Sequence, residues 1–374
     1  MRARLAIPAL GLWALAGCAA PPPPPPGTAS PEEAGLRMVA DRAEARLKSS
    51  GRIEQRPELD AYLRGVLCRV VGPGCAELRL YLVDEPGFNA TAWPNGVVEL
   101  WSGTLLRLEN EAQLALVLGH EAVHYEQRHT AQVWSRAQQS LGMGALLGVL
   151  AGAPELGVAM GALAVLAYSR EMEREADRLA LERLARAGYD PNEAPEVWEY
   201  VLAERARDPA GAPSPFLSTH PTDAERIASL RTMAATLPRT PSAEPLGRDA
   251  YRAAIAPARG RWLARELARR AFAESELVLD RLLAAEPRSG ELLFFAGELR
   301  RLRDGPGDAE AALARYREAA RLADAPVETW RSMGFVAKRL GREAEAREAL
   351  RTYLARAGAA PDRPMIERML AETE

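Results

Sequence analysis

The chain has 374 residues, 48% of them hydrophobic, 26% charged and 6% aromatic, which supplies a sizeable core and excludes a chain that is disordered or low-complexity as a whole. A formal net charge of −3, from 48 Lys and Arg against 51 Asp and Glu, gives no electrostatic case for nucleic acid as a partner. Three cysteines and four histidines are too few for a disulfide scaffold or a multi-zinc protein, yet allow one metal site.

Arg2 and Arg4 precede an apolar run from Leu5 to Ala16, and Leu15-Ala16-Gly17-Cys18 closes it with small residues. The pattern is that of a signal peptide, too short to span a bilayer with margin. Its ending resembles the bacterial lipobox, which implies cleavage before Cys18, lipidation of Cys18 and export. Ala19 and Ala20 follow without an aspartate, which by the sorting pattern of such lipoproteins implies the outer membrane. Pro21 to Pro26 is an unbroken proline run, an extended spacer between anchor and folded chain. Export leaves Cys68 and Cys75 in an oxidising space on either side of the turn-forming Gly72-Pro73-Gly74, and predicts a disulfide between them.

Apolar and charged positions alternate at helical spacing from Leu36 to about Val71, and Leu78 to Val83 alternates as a strand. Asn95-Gly96 predicts a hairpin between Ala90–Trp93 and Val97–Trp101. Asn110, with Gln113 at the third position, predicts the cap of a long helix running through His129. Leu141 to Tyr168 is almost wholly apolar but is split at Pro154-Glu155 into pieces shorter than the ~20 residues of a membrane span. A buried helical hairpin is expected there, with a membrane-dipping or gating segment as the alternative. A helix from about Ser169 to Ala187 stops at Gly188, and Asp190-Pro191 starts the next, with Glu193 at its third position. Residues 237–258, rich in Pro, Ser and Thr, read as a linker. Beyond it helical pairs recur, closed by Pro287 and Pro326, and Trp330, Met333-Gly334, Ala337, Ala346, Leu350 and Tyr353 follow the spacing of a tetratricopeptide repeat. The expected division is a signal peptide (1–17), a lipidated Pro-rich tether (18–35), a metalloprotease domain (36–236), the linker (237–258) and tetratricopeptide-like repeats (259–374).

His120-Glu121-Ala122-Val123-His124 places two imidazoles one helical turn apart on one face, as two ligands of one zinc must be, with Glu121 beside them as a general base. The surrounding Leu114, Leu116, Val117, Leu118 and Val123 make polar groups costly there unless they are used. Gln127 and Thr130 stand where the metzincin continuation needs Gly and His, which excludes that class. A third ligand is expected from Ser169–Asp177. Glu173 could complete the site while Asp177 hydrogen-bonds a ligand histidine, and Glu171 and Glu175 compete for the role. His129, five residues from His124, points off the metal face and is expected to be structural.

These residues resemble a family of zinc metallopeptidases that includes the CAAX prenyl endopeptidase, a heat-shock protease and the beta-barrel assembly-enhancing protease. The resemblance rests on Asn89-Ala90, Asn95-Gly96, His120–His124 with Arg128-His129, Ser169-Arg170 through Asp177, and Gly188-Tyr189-Asp190-Pro191. It covers about Met38 to Leu230 and implies a mainly α, gluzincin-like zincin fold with a small sheet, followed here by the helical solenoid. It also implies one zinc per chain and selects Glu173 as the third ligand. His220-Pro221 and Arg226 match members in which the histidine fills the metal's open position as a reversible plug and the arginine lies near the site. His220 is therefore expected to be an inhibitory fourth ligand. Arg226 would stabilise an oxyanion or pair with a carboxylate, so that Glu121, Asp177 and Arg226 form the candidate catalytic set. Thr222–Glu225 reads independently as a capping box that holds His220 on a short loop.

The leading expectation is a zinc endopeptidase on the periplasmic face of the outer membrane. It would degrade misfolded or stalled envelope proteins, with its repeats docked to outer-membrane assembly machinery. Val97, Val98 and Glu99 are expected to form an edge strand that pairs with substrate backbone. The alternatives are a lipid-anchored adaptor or chaperone with a latent zinc site, and a processing protease with one substrate.

Overall fold

The computed structural model describes residues 31–137, 168–208, 214–238, 241–242 and 244–371. The expected signal peptide with Cys18, the proline run and the apolar stretch ahead of Tyr168 lie outside the described residues. Among the described residues no helix is long and apolar enough to cross a membrane. The fold is mainly α with one small sheet, as the sequence leads one to expect.

The helical stretch before the sheet is two helices, α1 (Pro31–Ser49) and α2 (Pro57–Val71). Gly51, at φ 70°, ends the first, and Pro57 at the first position starts the second. Cys75, just beyond α2, is disulfide-bonded to Cys68, with Cα atoms 5.0 Å apart. Three strands follow, β1 (Arg79–Val83), β2 (Ala90–Ala92) and β3 (Val97–Trp101). The Asn95-Gly96 turn, with Gly96 at φ 86°, joins β2 and β3 as an antiparallel pair. The order, however, is β1-β3-β2, with β1 parallel to β3 and Leu80 opposite Val98. Val97, Val98 and Glu99 therefore lie on the central strand, not an edge. The two valines are fully buried and the strand's backbone is committed on both sides, so the substrate-strand reading of these residues is corrected. Local alternation shows that a segment is a strand, whereas the return of β1 to its far side is a non-local pairing.

Helix α3 (Glu111–Glu126) begins at Asn110, whose Oδ1 accepts from the Gln113 N–H at 2.9 Å, and it buries almost its whole length. It ends earlier than its pattern suggests. Arg128 takes the left-handed conformation at φ 56°, and His129 starts a separate helical segment through 137. Helix α4 (Arg170–Arg186), capped by Ser169 and ended by Gly188 at φ 82°, packs along α3. Three shorter helices, α5 (Glu193–Arg207), α6 (Pro215–Thr219) and α7 (Ala224–Thr236), close around this pair. The start of α5 lies two residues past the expected one because Asp190 Oδ1 accepts from the Asn192 N–H at 3.0 Å, spending Asp190 in a turn rather than a cap.

The 237–258 linker ends sooner than expected. Helix α8 (Arg248–Ala268) begins inside it, with Tyr251 and Ile255 buried and the Tyr251 hydroxyl donating to the Leu105 carbonyl at 2.6 Å. Burial of these two side chains outweighs the polar composition, and Pro257 is carried within the helix. After α8 come α9 (Phe272–Ala285), α10 (Gly290–Arg303), α11 (Asp308–Ala319), α12 (Glu328–Arg339), α13 (Glu343–Arg356) and α14 (Arg363–Ala371). Two glycines fix the close crossings. A Cβ on Gly297 would sit 2.5 Å from the Tyr316 ring, and one on Gly334 would sit 2.6 Å from Leu350 Cγ. One hydrophobic core runs from Leu59 on α2 to Ala346 on α13, so the C-terminal helices are packed into the same body as the sheet and α3.

A buried ion cluster crosses that body. Arg107 donates from Nε to Glu204 Oε2 at 2.7 Å and from both terminal nitrogens to Glu266 at 3.0 Å. Burial pushes the Glu266 carboxyl up, but the Arg107 and Arg269 guanidiniums overcome it and hold the group at about 2. A carboxyl held below its ordinary value stabilises the fold above about pH 4.5 and loses that contribution as pH falls toward 2, an effect of roughly 3 kcal/mol. Urea unfolding measured from about pH 6 down to about pH 3 should show this decline, with a shallower slope in Glu266→Gln.

Candidate metal centre

His120 and His124 lie one turn apart on α3, Glu173 comes from the first turn of α4, and His220 follows α6. One donor atom from each lies within 4.8 Å of all the others, and all four residues are buried. The spacing is compact. His120 Nε2 is 3.0 Å from His124 Nε2 and 3.4 Å from His220 Nδ1, while Glu173 Oε1 is 3.0 Å from His220 Nδ1 and 3.4 Å from His124 Nε2. Donors about 2.0–2.1 Å from a tetrahedral zinc would stand roughly 3.3 Å apart, which is the spacing observed.

Glu121, Glu173 and Asp177 are buried carboxylates, and the buried Arg226 guanidinium pairs with Asp177 and Glu173. Glu121 Oε1 and His220 Nε2 are buried without a hydrogen bond, 3.6 Å apart. The donor set of three imidazoles and one carboxylate fits zinc. Removing a divalent cation with a chelator should lower the unfolding midpoint, and zinc should restore it. A ligand present at a thousand times its Kd contributes about 4 kcal/mol, readable by calorimetry.

The other groups fix these donors. His120 Nδ1 is 3.2 Å from Asp177 Oδ1, the contact that sets the imidazole's tautomer and orientation. Arg226 is gripped by Asp177 through Nε at 2.5 Å and Nη2 at 2.8 Å, and by Glu173 at 2.5 Å. Of its two expected roles, this is carboxylate pairing. Its place follows from the cap of α7, which is Asp223 rather than Thr222. The Asp223 side chain accepts from the Arg226 N–H at 2.9 Å, so Arg226 sits in the first turn with its guanidinium turned back toward α4. Burial raises the Asp177 carboxyl, and Arg226 with His120 outweighs it and keeps the group ionised. Burial raises Glu121 as well, and there it prevails. Glu121 Oε2 accepts from the Ala92 N–H at 2.9 Å, which ties this carboxylate to β2, the sheet edge beside α3. Glu171 and Glu175 do not enter the donor cluster.

Some neighbours were not apparent in the sequence. His129 is fully buried, with its Nδ1 3.0 Å from His124 Nδ1 and its Nε2 3.4 Å from Glu175, so it does contact the metal face through His124. The left-handed turn at Arg128 resets the helical phase that pointed it away. Tyr168 stacks on His124 with ring centroids 4.0 Å apart, and Phe216 stacks on His220 at 4.3 Å. Trp198 packs edge-on to His120 and stacks on Phe216. Ser214, whose hydroxyl accepts from the Leu217 N–H at 3.2 Å, and Pro215 at the head of α6 are local signals that a turn of helix carries Phe216 to His220, and nothing local marks Trp198.

Residues 51–234 match Peptidase family M48. A beta-barrel assembly-enhancing protease of Escherichia coli K12 is 31% identical over 204 residues, covering 50% of this chain and 41% of its own length. A Vibrio cholerae relative that bears the same name provisionally is 31% identical over 266 residues, 67% of this chain and 54% of its own. A mitochondrial metalloendopeptidase OMA1 of Arabidopsis thaliana is 38% identical over 151 residues, 39% of this chain and 29% of its own. The chain thus spans about half the length, or less, of these curated relatives.

Proposed function

This chain carries a peptidase family M48 domain, and on that premise we propose that it is a zinc-dependent endopeptidase of the cell envelope that hydrolyses peptide bonds of misfolded or stalled envelope proteins. The observation that carries the reading is the four-donor cluster with Glu121 against it. A divalent cation held by His120, His124 and Glu173 supplies Lewis acidity, which acidifies water and polarises a carbonyl. The protein's own part is acid–base and positional. Glu121 accepts the proton of the attacking water and passes it to the leaving amine, and Asp177 holds His120 in place. Arg226 keeps Asp177 and Glu173 ionised and fixed.

His220 is the inhibitory fourth donor in this reading. Its imidazole fills the position a substrate carbonyl needs, and the Trp198–Phe216–His220 stack holds it there. Activity requires the α6 turn to carry His220 away. Cys18 anchors the chain by lipid to the periplasmic face of the outer membrane, with the proline run as spacer, and residues 36–236 form the protease unit. The helical pairs after Arg248 are tetratricopeptide-like and dock to outer-membrane assembly machinery, a partner suggested by the name of the E. coli relative. The closed site also supports a second reading, an adaptor whose zinc centre stays latent.

The test is degradation of a disordered protein by the zinc-loaded chain, comparing wild type, His220→Ala and His220→Ala/Glu121→Gln. Faster cutting by the single variant and none by the double variant supports the gated protease. No cutting by any of the three, with zinc bound, supports the adaptor.

A further inference from the structure

Four large hydrophobic side chains stand exposed among the described residues, and three of them gather at one end of the fold: Met38 and Val39 on α1, and Trp134 on the helical segment that His129 starts. The two elements are neighbours. Glu33 on α1 pairs with Arg128 at 3.4 Å, and Trp134 comes one turn after Thr130 and Ala131, which share a cleft with Leu36 and Arg37 of α1. We propose that the outward face of α1, together with Trp134, is an interaction surface for an anionic phospholipid bilayer. The inference rests on the proposed anchoring at Cys18 only for its nearness to a membrane.

Helical geometry divides α1 into two faces. On the inner one Ala40, Glu44 and Leu47 are buried. Glu44 accepts from Arg79 at 2.7 Å and 3.0 Å, from the Tyr81 hydroxyl at 2.9 Å and from Asn95 at 2.9 Å, which fastens α1 across the sheet and fixes what points outward. On the outer face Met38, Arg42, Ala45 and Ser49 recur at i, i+4, i+7 and i+11, with Val39 and Arg46 beside them, and all six are exposed. From Met38 onward this face holds two guanidiniums and no carboxylate. Arg42 donates to Met38 Sδ at 3.7 Å, and neither Arg42 nor Arg46 enters an ion pair among the described residues, whereas Lys48 is taken by Glu44. The exposed Asp41 lies off this face and accepts from Asn95 at 2.9 Å. Residues 129–137 carry no carboxylate either.

Apolar side chains mixed with unpaired cations suit a bilayer interface, where the first enter the headgroup level and the second meet lipid phosphates. The chain as a whole carries −3, so attraction to an anionic surface is local to this face rather than general. The covalent path leads to the same place. Only 12 residues lie between Cys18 and Pro31 at the head of α1, a reach of about 45 Å at full extension. The tether limits distance and leaves direction open, so contact with lipid through α1 is what would set the orientation. Leu36 and Arg37, on the same helix, would then bring the cleft at the metal centre close to the bilayer.

The experiment is flotation of the mature chain from residue 18, left unacylated by Cys18→Ser, with phosphatidylethanolamine vesicles made with and without phosphatidylglycerol. Binding should require phosphatidylglycerol and weaken with added salt. Arg42→Glu/Arg46→Glu should lower the bound-to-free ratio about 25-fold or more, since each basic residue at an anionic surface is worth about a factor of five. Met38→Ser/Val39→Ser/Trp134→Ser should lower it by about tenfold or more. Arg321→Glu/Arg368→Glu, an equal change of net charge on exposed residues of the C-terminal helices, should leave it unchanged. Because every substituted side chain is exposed, all variants should keep the unfolding midpoint of the parent. No binding by the parent, or an equal loss in the C-terminal variant, would overturn the assignment. No binding, with a dimer in ultracentrifugation that both α1 variants dissociate, would give the face to a second copy instead. The mass of Cys18 in the chain recovered from cells is a separate readout: no acyl group there, with vesicle binding retained, would remove the anchor and uphold the surface.

Discussion

Glu121→Gln in the His220→Ala background should lower turnover of an unfolded protein by about 10²–10⁴-fold, the usual share of a general acid–base group, with zinc content unchanged. Metal retention follows because Glu121 is not among the four donors. Folding should be retained as well, because a glutamine oxygen can accept from the Ala92 N–H as Glu121 does now at 2.9 Å. The substitution also removes a buried carboxyl that no guanidinium pairs with among the described residues, so stability should hold or rise while activity falls. A large loss of zinc or of the unfolding midpoint would show instead that Glu121 holds the centre together. Steady-state kinetics, metal analysis and calorimetry on the same preparation separate the two.

Arg107→Met should cost about 3–5 kcal/mol of stability, the range for a buried ion pair that loses one partner. Arg107 is 2% exposed and lies between Glu204 on α5 and Glu266 on α8, which are themselves nearly buried. Removing the guanidinium takes from Glu204 its buried partner and leaves Glu266 with Arg269 alone, and the loss should appear as a lower unfolding midpoint. The triple variant Arg107→Met/Glu204→Gln/Glu266→Gln should recover most of it, since the penalty lies in unpaired charge rather than in lost attraction. If the triple variant is no more stable than the single one, packing around the cluster accounts for the loss. Because Glu266 also accepts from the Gly87 N–H at 3.2 Å and the Ser275 hydroxyl at 3.3 Å, the cluster fastens the C-terminal helices to the loop behind β2.

The sequence by itself determined the features that depend on a few neighbouring residues. A four-residue spacing is enough to put His120 and His124 on one face of a helix, since the backbone completes about one turn over it. Asn110, Ser169 and Gly188 mark helix ends because the orphan backbone groups there need those side chains or that φ. Asn95-Gly96 marks its hairpin for the same local reason. The choice among Glu171, Glu173 and Glu175 was already beyond local spacing and came from resemblance.

Only the tertiary structure decided what distant segments do when they meet. Glu173 and His220 stand 47 residues apart in the chain, yet their donor atoms lie 3.0 Å apart. Strand β3 lost the edge position because β1 pairs along it in parallel, and no residue within β3 records that partner. His129 reached His124 because one left-handed residue, Arg128, broke the helical phase. The linker shortened because Tyr251 and Ile255 found a core to enter. In each case the deciding energy is burial or pairing against a surface that exists only once the chain has folded, so local propensity carries no trace of it.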